Sequence, residues 1–309
     1  MDINYDGGEN QSAEDYDSLD ECLEKSIEVV KTAFETYDNP AIMWTGGKDS
    51  TLTMYVVHQV AEEFDYELPP AIFIDHFQHF DDLYTFVENW SEQFEIEILM
   101  AQNADIKSLV ENPNDTVRVE DLNEKNREEV RNVLEYEEDT FPFLLDTEVG
   151  NHLLKTVPFH DTVEENGFDA VFSGVRWDEQ EARADETFFS PRQDEEMYPP
   201  HDRVHPILQY SEERVWDATW SLVVPEYVEN YPSGYVPESK DDLPEGVELE
   251  DLPVSPKYFD GYRSLGSEVS TDKNSSKPAW LQDLDTEERA GRAQDKEGVM
   301  ERLRDLGYM

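Results

Sequence analysis

A short apolar run, Ala41-Ile42-Met43-Trp44, is followed at once by Thr45-Gly46-Gly47-Lys48-Asp49-Ser50, and then by apolar residues at Leu52, Tyr55, Val56, Val60 and Phe64. The run has the pattern of a buried strand, and the spacing of three and four residues after it is that of an amphipathic helix, so this stretch is committed to strand, glycine turn, helix. The order then repeats. Ala71-Ile72-Phe73-Ile74-Asp75 reads as a second buried strand, 76–80 as a loop, the residues up to about Phe94 as a helix, and 95–100 as a third strand. Parallel strands need helical crossovers, and strands alternating with helices predict an α/β fold of Rossmann-like kind: a mostly parallel sheet with helices on both faces. Trp44, Phe73 and Phe172 are expected in its core.

Around that centre the pattern predicts further elements. Leu19, Leu23, Ile27, Val30 and Phe34 mark a helix over 18–37, with Ser18 and Glu21 placed as a capping box. A helix over 159–166 ends at Gly167, a fourth strand spans 169–175, and a helix opened by Ser211 carries Trp216 and Trp220. Residues 111–140 are dense in charge with sparse apolar anchors and read as an exposed helical insertion. Beyond Pro225 repeated prolines weaken every pattern until a last helix over about 296–306. The expected organisation is a solvated, disordered acidic arm over 1–17, an α/β domain over 18–225 and an irregular C-terminal extension over 226–309.

Of the 309 residues, 38% are hydrophobic and 12% aromatic, enough for a sizeable core, yet 74 Asp and Glu face only 24 Lys and Arg, a net charge of -50. Such a surface repels nucleic acid phosphates and anionic lipid, so neither non-specific nucleic-acid binding nor membrane binding is expected. Self-repulsion becomes tolerable when the Debye length shrinks to roughly 3 Å near 1 M salt, which reads as a haloarchaeal-type, halophilic composition. Scattered carboxylates then lose value as signs of a metal site. A single cysteine, Cys22, excludes an intrachain disulfide or a cysteine-rich metal site. With neither a signal-peptide pattern nor an apolar stretch long enough to span a bilayer, a cytoplasmic location is expected.

The turn at 45–50 supplies what a polyphosphate needs: unhindered backbone N–H groups at Gly46 and Gly47, a helix N-terminus, the cation of Lys48, and hydroxyls at Thr45 and Ser50. Asp49, beside bound phosphates, makes sense as a ligand for Mg²⁺ or as an orienter of the loop. The spacing is not that of the kinase and GTPase P-loop. In an open α/β sheet ligands lie at the carboxyl ends of the strands, where 45–51, 75–80 and 173–178 all begin. Arg176 and Arg183, two of few cations, are candidates to clamp an oxyanion, with ion pairing to Asp178, Glu179 or Asp185 as the alternative. Arg203 and Arg263 are weaker anion-site candidates. Asp75 either contacts nucleotide or metal, or caps the helix that follows it.

Thr45-Gly46-Gly47-Lys48-Asp49-Ser50 resembles the S-G-G-K-D-S pyrophosphate loop (PP-loop) of the adenine-nucleotide α-hydrolase-like ATP pyrophosphatases, which cleave ATP between the α and β phosphates. The segment from Gly167-Phe168-Asp169-Ala170 through Ser173-Gly174-Val175-Arg176-Trp177-Asp178-Glu179 to Arg183-Ala184 is similar to G-F-D-A-x-F-G-G-x-R-R-D-E-x-x-S-R-A of the sulfate adenylyltransferase small subunits. Val204-His205-Pro206-Ile207, Tyr262-Arg263-Ser264-Leu265-Gly266, Ala290-Gly291-Arg292 and Gly307-Tyr308 extend the resemblance toward the end of the chain. Phosphoadenylyl-sulfate reductases share the fold, but their cysteine-bearing E-C-G-x-H motif is missing.

The resemblance implies an ATP-binding nucleotidyltransferase that makes adenylyl sulfate and pyrophosphate from ATP and sulfate, or from another small oxyanion, with Mg²⁺ as cofactor and a GTPase large subunit as partner. With the reading of the residues themselves, catalysis is expected of Lys48, Arg176 and Arg183, nucleotide contacts of 45–50, Asp75 and Gly174, the metal at Asp49, and substrate contacts of Arg176, Arg183, Arg203 and Arg263. His76 and His79 stand where these subunits carry a T-G-W-K-F type loop, a departure that bears on the second substrate. Two other readings keep the fold: an ATP pyrophosphatase that activates a different acceptor in sulfur transfer or nucleic-acid thiolation, and a non-catalytic nucleotide-binding subunit.

Overall fold

The computed structural model of the chain describes residues 3–194, 198–286 and 288. Its elements follow in the order α1 (Leu19–Thr36), β1 (Pro40–Met43), α2 (Lys48–Phe64), β2 (Ala71–Ile74), α3 (Asp81–Gln93), β3 (Ile98–Ala101), α4 (Ala104–Leu109), β4 (Thr116–Arg118), α5 (Glu124–Glu128), β5 (Thr140–Pro142), α6 (Glu148–Asn151), α7 (Val157–Asn166), β6 (Ala170–Phe172), β7 (Phe189–Arg192), β8 (His201–Val204), α8 (Glu212–Ala218), α9 (Val224–Tyr227) and α10 (Pro256–Phe259). Single π-helical turns at 129–133, 152–156 and 219–223 continue α5, α6 and α8.

Six strands form the main sheet in the order β3-β2-β1-β6-β8-β7, parallel throughout except for β7, which runs antiparallel along the edge of β8. Two-residue alternation sorts its side chains. Ile42, Trp44, Ala71, Phe73, Ala170, Phe172 and Val204 face α1, α2, α3 and α8, whereas Ala41, Ile72, Ile74 and Val171 face α7 through Phe159 and Val163. Trp44, Phe73 and Phe172 are all buried, each worth several kcal/mol of transfer free energy (on the order of 1.5–3 for a large apolar side chain). The expected parallel sheet with helices on both faces is thus present, with most of the helices on one side. The pair β7–β8 was not legible because Ser190, Asp202 and Arg203 break any apolar alternation there.

Three regions differ from expectation. Residues 3–17, read as a solvated arm, lie against the body: Tyr5 donates to Asp202 at 2.8 Å, Gly7 accepts from the backbone of Phe188, and Ala13 accepts from Arg214. Tyr5 and Tyr16 give this otherwise acidic stretch the aromatic anchors a tail would lack. Residues 111–140, read as an exposed helical insertion, carry the short helix α5 but also β4, which pairs antiparallel with β5 at the segment's end, and they belong to a satellite unit with its own core, in which Val117, Val130, Phe141 and Phe143 pack with Ile106 and Leu153. The described part of the C-terminal extension is irregular and anchored by aromatic packing. Trp280 packs edge-on against Trp220 at 4.7 Å and against Phe259 at 4.7 Å, fastening the extension to the α8 side of the sheet. The predicted helix near 296–306 and the motifs at 290–292 and 307–308 lie outside the described residues. Among the described residues no helix is long and apolar enough to cross a membrane.

Candidate active site

The strand order reverses direction at β1, with β2 on one side and β6 on the other, so a crevice opens where the loops after β1 and β6 leave the sheet. Gly46 takes φ +70 in the first loop, a left-handed conformation, and a Cβ there would come within 2.8 Å of Leu83. Gly174 in the second loop has a different reason to be glycine. A Cβ on it would sit 2.8–2.9 Å from the backbone of Asp49 and Ser50, so the two loops touch backbone to backbone. The turn is tied internally as well: Thr45 N–H donates to Ser50 Oγ at 3.2 Å, Ser50 Oγ donates to the Gly47 carbonyl at 3.0 Å, and Trp44 Nε1 donates to Thr51 Oγ1 at 3.1 Å. Helix α2 starts at Lys48 with no side-chain cap, leaving the positive end of its dipole at the crevice.

At this point the sheet end gathers a cluster of buried charge. Lys48 Nζ lies 3.1 Å from Asp49, 2.5 Å from Glu288 and 3.4 Å from the Arg263 carbonyl. Arg176 pairs through Nε with Asp49 at 2.7 Å, through Nη1 with Asp178 at 2.5 Å, and through Nη2 with the second oxygen of Glu288. Both cations are almost completely buried, at 1% and 0% side-chain exposure. Burial works against their charges, but Asp49 and Glu288 outweigh it and hold both groups protonated well above their ordinary ranges. Glu288 is the mirror case: burial opposes its charge, and Lys48 and Arg176 overcome the penalty and keep its pKa low. Asp178 is raised by burial, partly offset by Arg176 and by the Glu212 N–H that it accepts at 2.8 Å.

The extension reaches this cluster in two places. Tyr258 accepts the Lys48 N–H at 2.9 Å, taking one of the free donors at the start of α2. Arg263, buried, pairs with Glu212 and also donates from Nη1 to the carbonyl of Asp283 at 3.1 Å and the hydroxyl of Thr286 at 2.7 Å. Neither Tyr258 nor Glu288 was found by sequence reasoning. They stand 210 and 240 residues from Lys48, and the only available signal was that Glu288 precedes Ala290-Gly291-Arg292 by two positions.

The other expected site residues fall into three groups. Lys48, Asp49 and Arg176 meet directly, with the turn 45–50 and Gly174 framing them. Arg183 is turned to Glu179, which lies near enough to influence the charge of both Arg176 and Glu288, so it forms an outer row rather than a partner of Lys48. Arg263 reaches the cluster only through its carbonyl, its guanidinium being spent on Glu212 and the C-terminal strap. Arg203 departs from expectation. It projects from β8 to the opposite face of the sheet, its guanidinium carbon 4.3 Å from the centre of the Phe159 ring on α7. Asp75 accepts from Phe77 N–H at 2.8 Å, Tyr84 hydroxyl at 2.6 Å and Gln102 Nε2 at 2.9 Å, which joins the end of β2 to α3 and to the loop after β3. His76 and His79 lie ring against ring with centres 3.6 Å apart and planes tilted by 31°, and burial pushes His79 down to about 4. Cys22 is buried, with its thiol pushed up to about 11, and so is no thiolate at neutral pH.

Comparison with known proteins bears on the family and the fold. The chain is 25% identical over 241 residues to "Sulfate adenylyltransferase subunit 2" of Rhizobium meliloti (strain 1021), covering 78% of this chain and 68% of that protein. A protein of the same name from Rhizobium sp. (strain BR816) is 24% identical over 317 residues, covering 92% of this chain and 96% of its own. The crystal structure of Candida glabrata FMN adenylyltransferase with FMN and an ATP analogue superposes with a TM-score of 0.51 over 97% of this chain and 85% of that one, at 15% identity, a likeness of fold. The phosphoadenosine phosphosulfate reductase domain model matches residues 39–236, from the end of α1 through the whole sheet, and the chain belongs to that family.

Proposed function

We propose that the chain is an ATP-dependent adenylyltransferase of the sulfate adenylyltransferase small-subunit type. One observation carries the reading: at the carboxyl ends of β1 and β6, Lys48 and Arg176 are buried side by side and gripped by one carboxylate, the arrangement a phosphate oxyanion needs. The names of the relatives at 24–25% identity support sulfate as the acceptor. In the reaction a sulfate oxygen attacks the α phosphorus. A new S–O–P linkage forms as the bond to the oxygen bridging the β phosphorus breaks, and pyrophosphate leaves with the bonding electrons. The charge of pyrophosphate then grows at the start of α2, where Lys48, Arg176 and the helix dipole stabilise it by position alone.

Among the described residues no three side chains come together as a metal site of their own. This suits a magnesium ion that arrives on the phosphates of ATP, with Asp49, in contact with both cations, as the adjacent carboxylate. Such an ion neutralises part of the phosphate charge. Arg183, one row behind Arg176 through Glu179, tunes the charge balance of the clamp.

Because sulfate adenylation is strongly uphill, this reading requires a GTPase large subunit as partner and is tested with it. Pyrophosphate release from ATP and Mg²⁺ is measured in molar KCl, matched to the acidic surface, with and without sulfate and with and without that subunit and GTP. Sulfate-dependent release supports the reading, and ATP cleavage indifferent to sulfate overturns it. The latter result favours the second reading, another acceptor, for which the observation is the loop after β2: the contact of buried His76 with half-buried His79 replaces the loop expected of a sulfate site.

A further inference from the structure

Two cations and three carboxylates, Lys48 and Arg176 with Asp49, Asp178 and Glu288, make a cluster that is already over-neutralised. A polyphosphate cannot join it without raising the negative charge further. The space beside Lys48, Gly46 and Tyr258 is also only about 10 Å³, room for roughly one water. As it stands, both cations already hold carboxylates, with Glu288 on each of them.

One of the three carboxylates differs from the other two. Asp49 is part of the turn and of α2, and Asp178 is held by the N–H of Glu212. Glu288 arrives from the far end of the chain, reaching one oxygen to Lys48 and the other to Arg176, as two oxygens of one phosphate group would. The segment that delivers it, 283–286, is fastened mainly by Arg263, through the carbonyls of Asp283 and Thr286 and the hydroxyl of Thr286. On its other side an open cleft of about 610 Å³, lined by Arg263, Asn274, Ser275, Lys277 and Thr286, leaves the strap room to move. Asp283, Asp285 and Thr286 are exposed.

We infer that Glu288 is an intramolecular plug: its carboxylate occupies the position of a nucleotide phosphate, holds Lys48 and Arg176 in place while the site is empty, and must be displaced for ATP to bind. The inference rests on the nucleotide-site reading given above. A protein whose competent state is a minor fraction binds its ligand weaker by that fraction. A strap shut nine times in ten therefore weakens ATP about tenfold, and Glu288→Gln, which removes the charge and keeps the shape, tightens ATP by about that factor.

The test is calorimetric titration of the full chain and of Glu288→Gln with ATP and Mg²⁺, and separately with inorganic pyrophosphate, in molar KCl. Hydrogen exchange at 283–288 of the unmutated chain is followed with and without ATP. Tighter binding of both ligands by the variant, with faster exchange of the strap when ATP is bound, is the expected result. Equal or weaker binding by the variant, or a strap whose exchange ATP leaves unchanged, overturns the plug while the nucleotide site stands. Failure of both proteins to bind either ligand overturns the nucleotide site and the plug with it. The exchange measurement needs no variant, so it decides the matter even if Glu288→Gln folds poorly.

Discussion

Arg176 and Arg203 are both buried arginines on neighbouring strands or the loops that leave them, yet they belong to different chemistries. Arg176 leaves the carboxyl end of β6 and enters a nest of carboxylates, whereas Arg203, near the end of β8, lies over the Phe159 ring on the far face of the sheet. The surroundings follow the same division. The crevice is built of charged groups that stabilise one another, and the β8 region carries two buried histidines kept neutral, His201 and His205, which burial pushes to about 3 and about 4. Each uses Nδ1 to bond a carbonyl, of Pro199 and of Thr187, and among the described residues the buried Nε2 has no partner, so a second proton there has nowhere to donate. A buried cation is therefore a site candidate here only where the strand end and the sheet face both bring it to the crevice.

The sharpest way to break this comparison is to exchange the consequences of the two cations. Lys48→Ala, in the crevice, is expected to lower ATP cleavage by about 10²–10³-fold with the fold retained, and turnover near the unmutated rate would remove the site from the crevice. Gly174→Ala forces a Cβ against the backbone of Asp49 and Ser50 and is expected to cost about 1–3 kcal/mol of stability together with activity. An unchanged melting curve would show that the two loops do not touch.

The pH response separates the regions next. The folded pKa values of His201 and His205 lie below the unfolded value of 6.5, so the unfolded chain binds more protons as pH falls through 6.5 and stability drops by about 1.4 kcal/mol per histidine per pH unit, until the folded values are reached. Glu288 also has a lowered pKa, but its share is present above the usual 4.5 and is lost only as pH falls below that. Melts in 1 M KCl between pH 7 and 5 should thus report the buried neutral histidines, His201 and His205 together with His79 and His160, rather than Glu288, and His205→Gln should reduce the slope by its share. An unaltered slope would contradict the assignment. The smallest effect is expected from Arg203→Met: a stability change of about 0.5–2 kcal/mol, with ATP affinity and turnover unaltered. Loss of ATP binding in that variant would return Arg203 to the site.

The parts of the fold that were legible in the sequence are those where one period dominates. Ala41 to Trp44 and Ala71 to Ile74 are apolar throughout because both faces of those strands are covered, and the glycine turn between strand and helix located the crevice before any coordinates. Lys48, Asp49 and Arg176 were legible for the same reason, since each sits within a few residues of a strand end. Arg203 was not, because one residue along β8 exchanges the two faces of the sheet and its polar sequence gave no register. The docking of residues 3–17 was hidden by their acidity, which outweighed Tyr5 and Tyr16 in any reading by composition. Tyr258 and Glu288 were out of reach for a different reason: the extension has no period at all, and its path is set by aromatic packing on Trp216 and Trp220.

The separation of 240 residues between Lys48 and Glu288 has a consequence for the order of assembly. Closing so long a loop is entropically costly until the sheet and the aromatic cluster on α8 have drawn its ends together, so this contact should be among the last to form. During synthesis from the N-terminus, the strands that set Lys48 beside Arg176 are complete before Glu288 has been added. A nascent chain then carries Lys48 and Arg176 with only Asp49 and Asp178 against them, a less neutralised pair than the finished chain has.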